Sequence, residues 1–455
     1  MKKVFGIAAL LLALAACNKV ETEITPVEQP SDSKGITITA TLASKTAVTK
    51  AVADNGDNKI TVTWAEHEHI AILYTVGSTK KVADAEITAV DGSGAATITF
   101  TVDGGTPDNT ACTLVYPLSA AKDDHTGVKD AATLLSAQDG TLNANLDVRV
   151  GAGTIQTTTP GLTVTTQPEA QFAIFKFTLS GPSIDATHPL VIKDNASNKT
   201  ITTVTPASSA SSVYVAMPAA ASKAYKFVVI TADNKYIKSG TATIEAGKYY
   251  QTTLTMSPRY PLALSSATAE WDLGAVACSD GNLYMEKNAA PSGKTAIGIL
   301  GKVTETGHGL ILALQDAPEQ SWDTINSWPS LTYYAGTTLK LLPDGARGSL
   351  PNLIMLPTLS SDPFIVSNWC VAQKSDYEAI FTNLGSTNVG YGMSYDANVN
   401  AYITTGVGGM AMDVDDRYST ATEYNLDDAW GFGDGFWVPT SVKSDSYKVR
   451  PVLGF

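Results

Sequence analysis

His67 and His69, separated by one residue, have the types and spacing that come closest to a metal-binding site in this sequence. If both lay on one strand, their side chains would point to the same face and could share a metal ion. Glu66 and Glu68 are close by, but the local sequence offers no further dependable ligand of the kind that a zinc site needs. A polar turn explains the same four residues without a metal. We therefore predict no metal site and no cofactor here.

Asp413, Asp415 and Asp416 supply oxygen ligands of the kind that calcium takes. Calcium needs six or more oxygens, and only these local ones are visible, so a solvated acidic loop is the reading we favour. The remaining histidines have no neighbouring Ser or Cys for nucleophilic catalysis. The sequence contains no P-loop and no dinucleotide-binding fingerprint. We predict that the protein is not an enzyme.

The N-terminus has the features of a lipoprotein signal peptide, in residues 1–17. Two lysines precede an apolar run from Val4 to Ala16, which is shorter than the roughly 20 residues of a membrane-spanning helix. Small residues then lead to Cys17, where cleavage would leave a new N-terminus for lipidation, including palmitate. Each buried CH2 of such a chain contributes about 0.8 kcal/mol to membrane anchoring. Asn18 at the next position resembles lipoproteins released to the outer membrane. We predict a surface-exposed outer-membrane lipoprotein of a Gram-negative cell.

The other three cysteines give weaker signals. Cys112 lies in a strand-like run, which favours a buried thiol. Cys278 and Cys370 fall in the same later region and could pair in an oxidising compartment. Spacing alone does not determine disulfide geometry, so a disulfide between Cys278 and Cys370 and two unpaired thiols both stay open.

The overall composition is typical of an extracellular β protein. Charged residues make up 16% of the 455 residues, and the net charge is −13. A strongly acidic chain lacks the basic patch that neutralises phosphates, so we predict no nucleic-acid partner.

Apolar and polar residues alternate along most of the chain, which predicts β-strands separated by turns. The first strand is expected at Ile36–Leu42 and the second near Ile60. Residues 18–33 contain few core-forming side chains and are expected to form a flexible tether. The strand spacing predicts two β-sandwich domains, at 34–150 and 151–258.

Short motifs in these two domains resemble the fimbrillin family of lipoprotein pilins. Thr63-Trp64, six residues before Ile70, resembles that family's "W..gD.i.v" signature, although Glu68 replaces the usual Gly-Asp turn. The further matching segments are Val115–Pro117, Gln138–Leu142, Tyr214–Pro218 and Glu245–Tyr250. The resemblance implies fimbrillin-type β-sandwiches. It also implies donor-strand exchange with other pilus subunits after a protease removes the first strand.

The region 259–455 differs in residue composition from the two domains before it and contains one predicted helix. Ser375 and Glu378 have the spacing of a capping box, apolar residues recur up to Leu384, and Gly385 is placed to end the helix. The segment Trp369–Glu378 resembles the "W.lPs..eW" segment of C-type-lectin-like domains related to formylglycine-generating enzymes. The motifs Tyr418–Glu423, Ala429-Trp430 and Val449–Val452 resemble their closing "YWSSTE…aW…VRPV" pattern, with Ser419 in place of the family's Trp.

This second resemblance implies an α+β C-type-lectin-like domain over 259–455, without enzymatic activity, because neither Cys278 nor Cys370 lies in a matching reactive-cysteine motif. The whole chain is thus predicted to be mainly β, with two sandwiches followed by the lectin-like domain. Tyr, Asn and Trp between Gly390 and Trp437 suit the recognition of sugar or protein, although the same residue types also form turns and cores. The candidate ligand-binding residues are Tyr391, Tyr395, Asn398, Tyr418, Tyr424, Asn425, Trp430 and Trp437.

These features favour a cell-surface adhesin that binds a host or microbial glycan or protein through its lectin-like domain. A pilus stalk subunit must offer a strand of its own, whereas here the lectin-like domain occupies the C-terminal region. A tip or accessory subunit is therefore the favoured role. A standalone surface lipoprotein is the alternative. Lys45 and Lys50 are the candidate processing sites, because Arg149 is the first arginine of the chain.

Overall fold

The computed structural model describes residues 35–44, 49–50, 53–54, 60–332, 338–348, 350, 369–386, 397–413, 416–433 and 436–455. The predictions for the signal peptide, Cys17, the tether, Lys45, Tyr391, Tyr395 and Asp415 lie outside these residues. The described chain is mainly β, as its alternating sequence predicts.

The strands are given in chain order. The first eleven are β1 Ile36–Leu42, β2 Thr49–Lys50, β3 Ala53–Asp54, β4 Ile60–Val62, β5 His69–Val76, β6 Thr79–Val90, β7 Ala96–Val102, β8 Thr110–Tyr116, β9 Ala137–Gln138, β10 Arg149–Gln156 and β11 Gly161–Ala170. The next eight are β12 Phe172–Ser180, β13 Leu190–Asp194, β14 Thr200–Val204, β15 Ser212–Pro218, β16 Ala220–Ile230, β17 Lys235–Ile244, β18 Tyr249–Thr255 and β19 Ser257–Pro258.

The later strands are β20 Leu262–Ala263, β21 Val276–Cys278, β22 Asn282–Tyr284, β23 Ala296–Glu305, β24 His308–Ala313, β25 Ala317–Ser321, β26 Ser330–Thr332, β27 Thr338–Leu341, β28 Trp369–Val371, β29 Arg417–Glu423, β30 Asp428–Gly433, β31 Phe436–Val442, β32 Ser446–Val449 and β33 Val452–Gly454. The α-helices are α1 Ala131–Leu135, α2 Trp322–Ser327, α3 Lys374–Asn383 and α4 Ala397–Thr404. Short 3-10 helices occur at Leu118–Ala120, Ala144–Leu146, Leu264–Ser266 and Asp344–Ala346.

The first compact unit comprises the described residues of 35–44, 63–128 and 149–169. Its sheet has the strand order β1-β7-β6-β5-β8-β10-β11. Strand β1 lies at one end and pairs antiparallel with β7 from Ile36 to Leu42, the range that the sequence predicts. Its residues alternate between buried and exposed, with Ile38, Ala40 and Leu42 in the core. Strand β1 therefore supplies one row of core side chains from the edge of the sheet.

The second compact unit comprises the described residues of 49–62, 129–148 and 170–455. Within it, a β-sandwich forms from a three-stranded sheet, β15-β12-β18, and a six-stranded sheet, β19-β17-β16-β13-β14-β9. Its core contains Phe175 and Phe177 from one sheet, and Tyr225 and Phe227 from the other. A separate small sheet has the order β2-β4-β3.

The strand pairing departs from the predicted boundary at residues 150 and 151. That boundary falls inside β10, which pairs with β8 in the first sheet, while β9 pairs with β14 in the second unit. Turn signals mark where strands end but not which strands pair, so they place such a boundary poorly. The division into three domains stays a prediction.

Residues 170–258 and 259–455 belong to one compact unit, and polar side chains link them. The ammonium group of Lys235 donates to the carbonyl oxygen of Trp271 over 2.7 Å. Lys226 forms an ion pair with Glu270. These contacts attach the C-terminal region firmly to the sandwich before it.

The C-terminal region contains a nine-stranded sheet, β20-β22-β21-β23-β24-β33-β28-β27-β26, and a five-stranded sheet, β25-β32-β29-β30-β31. Both faces of the larger sheet are buried along most of β23 and β24. Ile299 and Leu312 belong to one core cluster, whereas Leu300 and Ile311 belong to the other. The first of these clusters includes the apolar side chains of α3 and α4.

Helix α3 confirms the predicted helical segment but not its capping box. It begins at Lys374, with Gln373 as an N-cap that makes no side-chain hydrogen bond to the helix. Instead, the backbone N–H of Lys374 donates to the hydroxyl of Thr422 over 2.8 Å. Because a residue distant in sequence satisfies this donor, the helix starts earlier than local capping predicts. Gly385 follows the helix at φ +86°, as its predicted terminating role requires.

Candidate ligand-binding surface

The hairpin of β29 and β30 presents the exposed part of the predicted ligand-binding set. Its turn is held by Asn425, whose side-chain oxygen accepts from the backbone N–H groups of Asp427 over 2.8 Å and Asp428 over 2.7 Å. The amide nitrogen of Asn425 donates to the carboxylate of Asp428 over 2.9 Å. This is the local side-chain bonding that Asn typically makes in turns. At the tip, Tyr424 is 49% exposed and Leu426 is 89% exposed.

The rings of Tyr424 and Trp430 pack edge to face, with their centroids 5.1 Å apart and their planes at 83°. The ammonium group of Lys374 lies 4.6 Å from the ring centroid of Trp430 and 4.7 Å from that of Trp437. Lys374 also forms an ion pair with Glu378 one turn along α3. We refer to Tyr424, Leu426 and Trp430 together as the aromatic surface. It combines two rings with an exposed apolar side chain, and the cation of Lys374 borders it.

Lys443 supports the tip of this hairpin from below. Its side chain is largely buried and donates to a carboxylate oxygen of Glu423 over 2.6 Å and to the carbonyl oxygen of Leu426 over 2.8 Å. Its ammonium group also lies 4.8 Å from the ring centroid of Trp322. A buried cation held by one acceptor at the end of β29 and another within the turn fixes the tip in place.

Sequence reasoning did not select Lys374 or Leu426. The Lys374–Glu378 spacing of four residues on a predicted helix was a usable signal, because such pairs face each other on a helix surface. The contact of Lys374 with Trp430 depends on the packing of α3 against β30, which the sequence does not reveal. Leu426 gave no signal beyond its place between turn residues.

Tyr418 and Trp437 correct the predicted ligand-binding set, because both side chains are buried, with 0% and 7% exposure. The ring of Tyr418 stacks on Phe432 at 5.1 Å, and Trp437 packs against the same ring at 5.6 Å. Burial raises the pKa of Tyr418, whose hydroxyl donates to a carboxylate oxygen of Asp316 over 3.2 Å. These two residues belong to the core.

Asn398 lies on α4, and its amide nitrogen donates to the carbonyl oxygen of Gly385 over 3.0 Å. This bond connects α4 to the end of α3, away from the hairpin tip in sequence. Of the eight candidates, the structure brings Tyr424, Asn425 and Trp430 together at one hairpin.

His67 and His69 do not share a strand, because His67 lies in the polar turn that the sequence favours. Strand β5 begins at His69, and His67 precedes it in a left-handed conformation at φ 65°. Their Nδ1 atoms contact different carboxylates of β6, at 2.8 Å from Glu86 and 2.7 Å from Asp84. The hydrogen bond and charge of Glu86 raise the pKa of His67.

No group of three or more histidine, cysteine or acidic side chains that could hold a metal ion occurs among the described residues. The carboxylate of Asp416, one member of the predicted acidic loop, forms an ion pair with Lys448. That contact gives this acidic side chain a structural role.

Cys112, Cys278 and Cys370 are buried thiols, and burial raises the pKa of each to about 12. Cys278 ends β21 and Cys370 lies in β28, with three strands between them in the nine-stranded sheet. At about 4.8 Å per strand, that separation is roughly 19 Å, which is far beyond the reach of a disulfide.

The residues around the first strand form a bonded cluster. The indole N–H of Trp64 donates to the carbonyl oxygen of Ala43 over 3.3 Å, directly after β1. The ring of Trp64 meets that of Tyr116 edge to face at 5.3 Å, and the hydroxyl of Tyr116 donates to Glu68 over 2.8 Å. Glu68 also accepts from the backbone N–H of Ala65 over 3.2 Å. Glu68 thus closes the turn for which the fimbrillin signature has Gly-Asp.

Lys50 differs from its predicted setting. It lies in β2, which pairs in parallel with β4, rather than in an open turn.

Across the described part of the chain, no helix is both long enough and apolar enough to cross a membrane.

No protein-family model matches the chain, and no curated protein matches it. Among solved structures, it is similar to a fimbrial protein from Bacteroides ovatus, with 12% identity, coverage of 92% of this chain and 100% of that one, and a TM-score of 0.26. A proposed cell adhesion protein from the same species has 15% identity, with coverage of 49% of this chain and 94% of that one, and a TM-score of 0.28. A fimbrial assembly protein from Parabacteroides distasonis has 14% identity, coverage of 48% and 90%, and a TM-score of 0.27. Similarities of this size do not assign the chain to a family.

Proposed function

We propose that the protein is a non-enzymatic cell-surface adhesin that binds a glycan or a protein through the aromatic surface. The observation that carries the proposal is the half-exposed edge-to-face pair of Tyr424 and Trp430, flanked by exposed Leu426. Aromatic rings offer large contact areas at low entropic cost and stack against the apolar faces of sugars and side chains. The buried Lys443 beneath the tip supports recognition, because a surface held rigid before binding loses less entropy.

The attachment of 259–455 to the second sandwich suits an adhesin. Lys235 and Lys226 fasten the two parts together inside one compact unit. A binding module that is mounted firmly transmits force to its support instead of swinging on a linker. In this proposal the sandwiches act as the mount and the lectin-like region as the binding end.

Anchoring through acylated Cys17 completes the proposed arrangement at the outer membrane. Changing Cys17 to Ala should leave unprocessed or soluble protein, because the acyl chains supply the anchoring energy. Fractionation and labelling from outside the cell test this. A Cys17→Ala variant that still fractionates with the outer membrane and labels normally would overturn the anchor.

A pilus tip or accessory role is the more specific form of the proposal. It is supported by β1, an edge strand that contributes Ile38, Ala40 and Leu42 to the core. Removing such a strand would expose the backbone edge of β7 and a row of apolar slots, which a strand from a neighbouring subunit could fill. A standalone surface lipoprotein with the same binding surface is the alternative.

The adhesin proposal is tested by screening the full chain against glycan and matrix-protein arrays, together with a Trp430→Ala variant. We expect the variant to lose at least about tenfold in affinity for the ligand that the array identifies, as central aromatic residues of interfaces commonly do. Tyr249→Ala, which removes an aromatic ring from β18 of the second sandwich, is the matched control and should bind normally. Unchanged binding by Trp430→Ala would move the site elsewhere.

A further inference from the structure

A cavity of about 200 Å³ lies between the two sheets of the second sandwich. One sheet contributes Phe175 and Phe177 to its lining, and the other contributes Tyr225 and Phe227. The cavity reaches the surface between β17 and β18, where the residues at its rim are exposed. Strand β18 is the last strand of its sheet, and β19 pairs with β17 at Tyr236 and Ile237. The opening therefore lies between two strand edges, and its lining shares no residue with the aromatic surface of the C-terminal region.

The hydroxyl group of Tyr225 is the one polar feature of the aromatic lining. Tyr225 is 2% exposed, and its hydroxyl has no hydrogen-bond partner among the residues that the structure describes. Buried hydroxyl groups in folded proteins are almost always paired, because leaving one unpaired is unfavourable. A ligand in the cavity that carries a hydrogen-bonding group would satisfy it.

Gly240 shows that the cavity extends along β17. It lies directly opposite Tyr225 in the antiparallel pair of β16 and β17, and residues opposite each other in such a pair share a face of the sheet. A Cβ atom added at Gly240 would meet no atom within 4 Å. The space beside Tyr225 is therefore open, and a side chain at position 240 would enter it.

We propose that this cavity binds a small uncharged aromatic molecule, of the size of phenol or indole, through ring contacts and a hydrogen bond to the hydroxyl of Tyr225. An apolar cavity of roughly 150 Å³ binds benzene in another protein, so about 200 Å³ admits a substituted ring. The charged residue of the lining, Lys238, lies at the exposed rim, which leaves the interior suited to neutral molecules. Burial raises the pKa of Tyr225, so its hydroxyl stays a neutral donor. This proposal is independent of the adhesin function.

The test uses the full chain with 13C-labelled methionine methyl groups and two probes of similar shape, phenol and toluene. Met217 lines the cavity, whereas Met256 lies in the same core but not in the lining. We expect both probes to shift the Met217 methyl signal saturably through ring currents and to leave that of Met256 in place. Phenol should bind roughly 2- to 10-fold more tightly than toluene, because it alone can bond to Tyr225.

Two variants separate the ring contacts from the hydrogen bond. Tyr225→Phe should retain toluene binding and lose the preference for phenol. Gly240→Val should abolish the binding of both probes by filling the cavity, with the Met256 signal showing that the sandwich stays folded. If Gly240→Val fails to fold, Gly240→Ala should still weaken toluene binding.

Three outcomes would overturn the proposal. The first is a Met217 signal that shows no saturable shift with either probe up to the limit of solubility. The second is a preference for phenol that survives in Tyr225→Phe. The third is binding that neither substitution at Gly240 alters.

Discussion

The Nε atom of Arg450 lies 2.6 Å from a carboxylate oxygen of Asp316, in a pair whose side chains are 0% and 7% exposed. The guanidinium group also donates to the carbonyl oxygens of Ala313 over 3.2 Å and Met410 over 3.0 Å. The hydroxyl of Tyr377 on α3 donates to the carbonyl oxygen of Arg450 over 2.6 Å. Arg450, from the closing motif, thus joins the sheet, the helix and the loop before β29.

Removing the charge of Arg450 should destabilise the protein strongly. Arg450→Met leaves the Asp316 carboxylate buried without its cation, and breaking a buried pair in this way typically costs about 3–5 kcal/mol. Asp316→Leu in the same chain should recover part of that loss. Urea unfolding of the full chain measures both effects, with exposed Arg417→Met as the control. A loss below about 1 kcal/mol for Arg450→Met would show that the pair contributes little.

Protonation of Asp280 should lower the free energy of unfolding at acidic pH. Burial raises the pKa of Asp280, but hydrogen bonds from Tyr284, Lys294 and Asn282 outweigh burial and lower the pKa to about 2. Because the folded pKa lies below the ordinary value of 3.8, this carboxylate stabilises the fold above pH 4. That contribution is lost as the pH falls from about 4 to about 2.

The measurement compares the free energy of unfolding of Asp280→Asn with that of the unmodified chain between pH 2 and pH 7. We expect the variant to be less stable at pH 7 and the difference to shrink towards pH 2. Asp233→Asn, at an exposed turn, is the control. A difference that stays constant over this range would show that titration of Asp280 is not its source.

Lys374 should compete with a ligand that stacks on Trp430. Its ammonium group lies 4.6 Å from the centre of that ring, and a cation held over a ring gains roughly 0.5–1 kcal/mol at an exposed site. Lys374→Ala should therefore strengthen ligand binding by about two- to fivefold. Titration calorimetry with the array-identified ligand measures this.

Glu378→Gln provides the comparison, because it removes the ion-pair partner but leaves the lysine in place. We expect this variant to bind nearly as the unmodified chain does. Weaker binding by Lys374→Ala would instead mean that the lysine contacts the ligand directly.

Processing in the segment after β1 should separate the tip subunit from the standalone lipoprotein. Cleavage after Lys45 or Lys50 would remove the edge strand that covers β7, and the exposed edge must then be paired to avoid aggregation. N-terminal sequencing of protein from sheared pili should give a start at Thr46 or Ala51. An intact acylated Cys17 terminus without pilus association would favour the standalone role. Because Lys50 lies in a paired strand, the start at Thr46 is the one we expect.

The strands were predictable because alternation is a local signal. In β1, the alternation assigns Ile38, Ala40 and Leu42 to the core, and the structure buries all three, while Ile36 at the start of the strand is half-buried. The candidate site was less predictable. Tyr418 and Tyr424 have the same side chain and lie six residues apart on one hairpin, yet Phe432 and Asp316 enclose the first while the second stays exposed. Burial depends on residues brought together by strand pairing, which composition and spacing do not encode.

The placement of β33 has a consequence for the rate of folding. This strand lies between β24 and β28 in the nine-stranded sheet and pairs Val452 with Leu312, a separation of 140 residues. Closing so long a loop must precede the gain from pairing, and topologies dominated by such distant contacts fold in milliseconds to seconds rather than microseconds. Until β33 is in place, β24 and β28 each present an unpaired edge. The C-terminal region therefore passes through a slow stage at which it is most open to association with other chains.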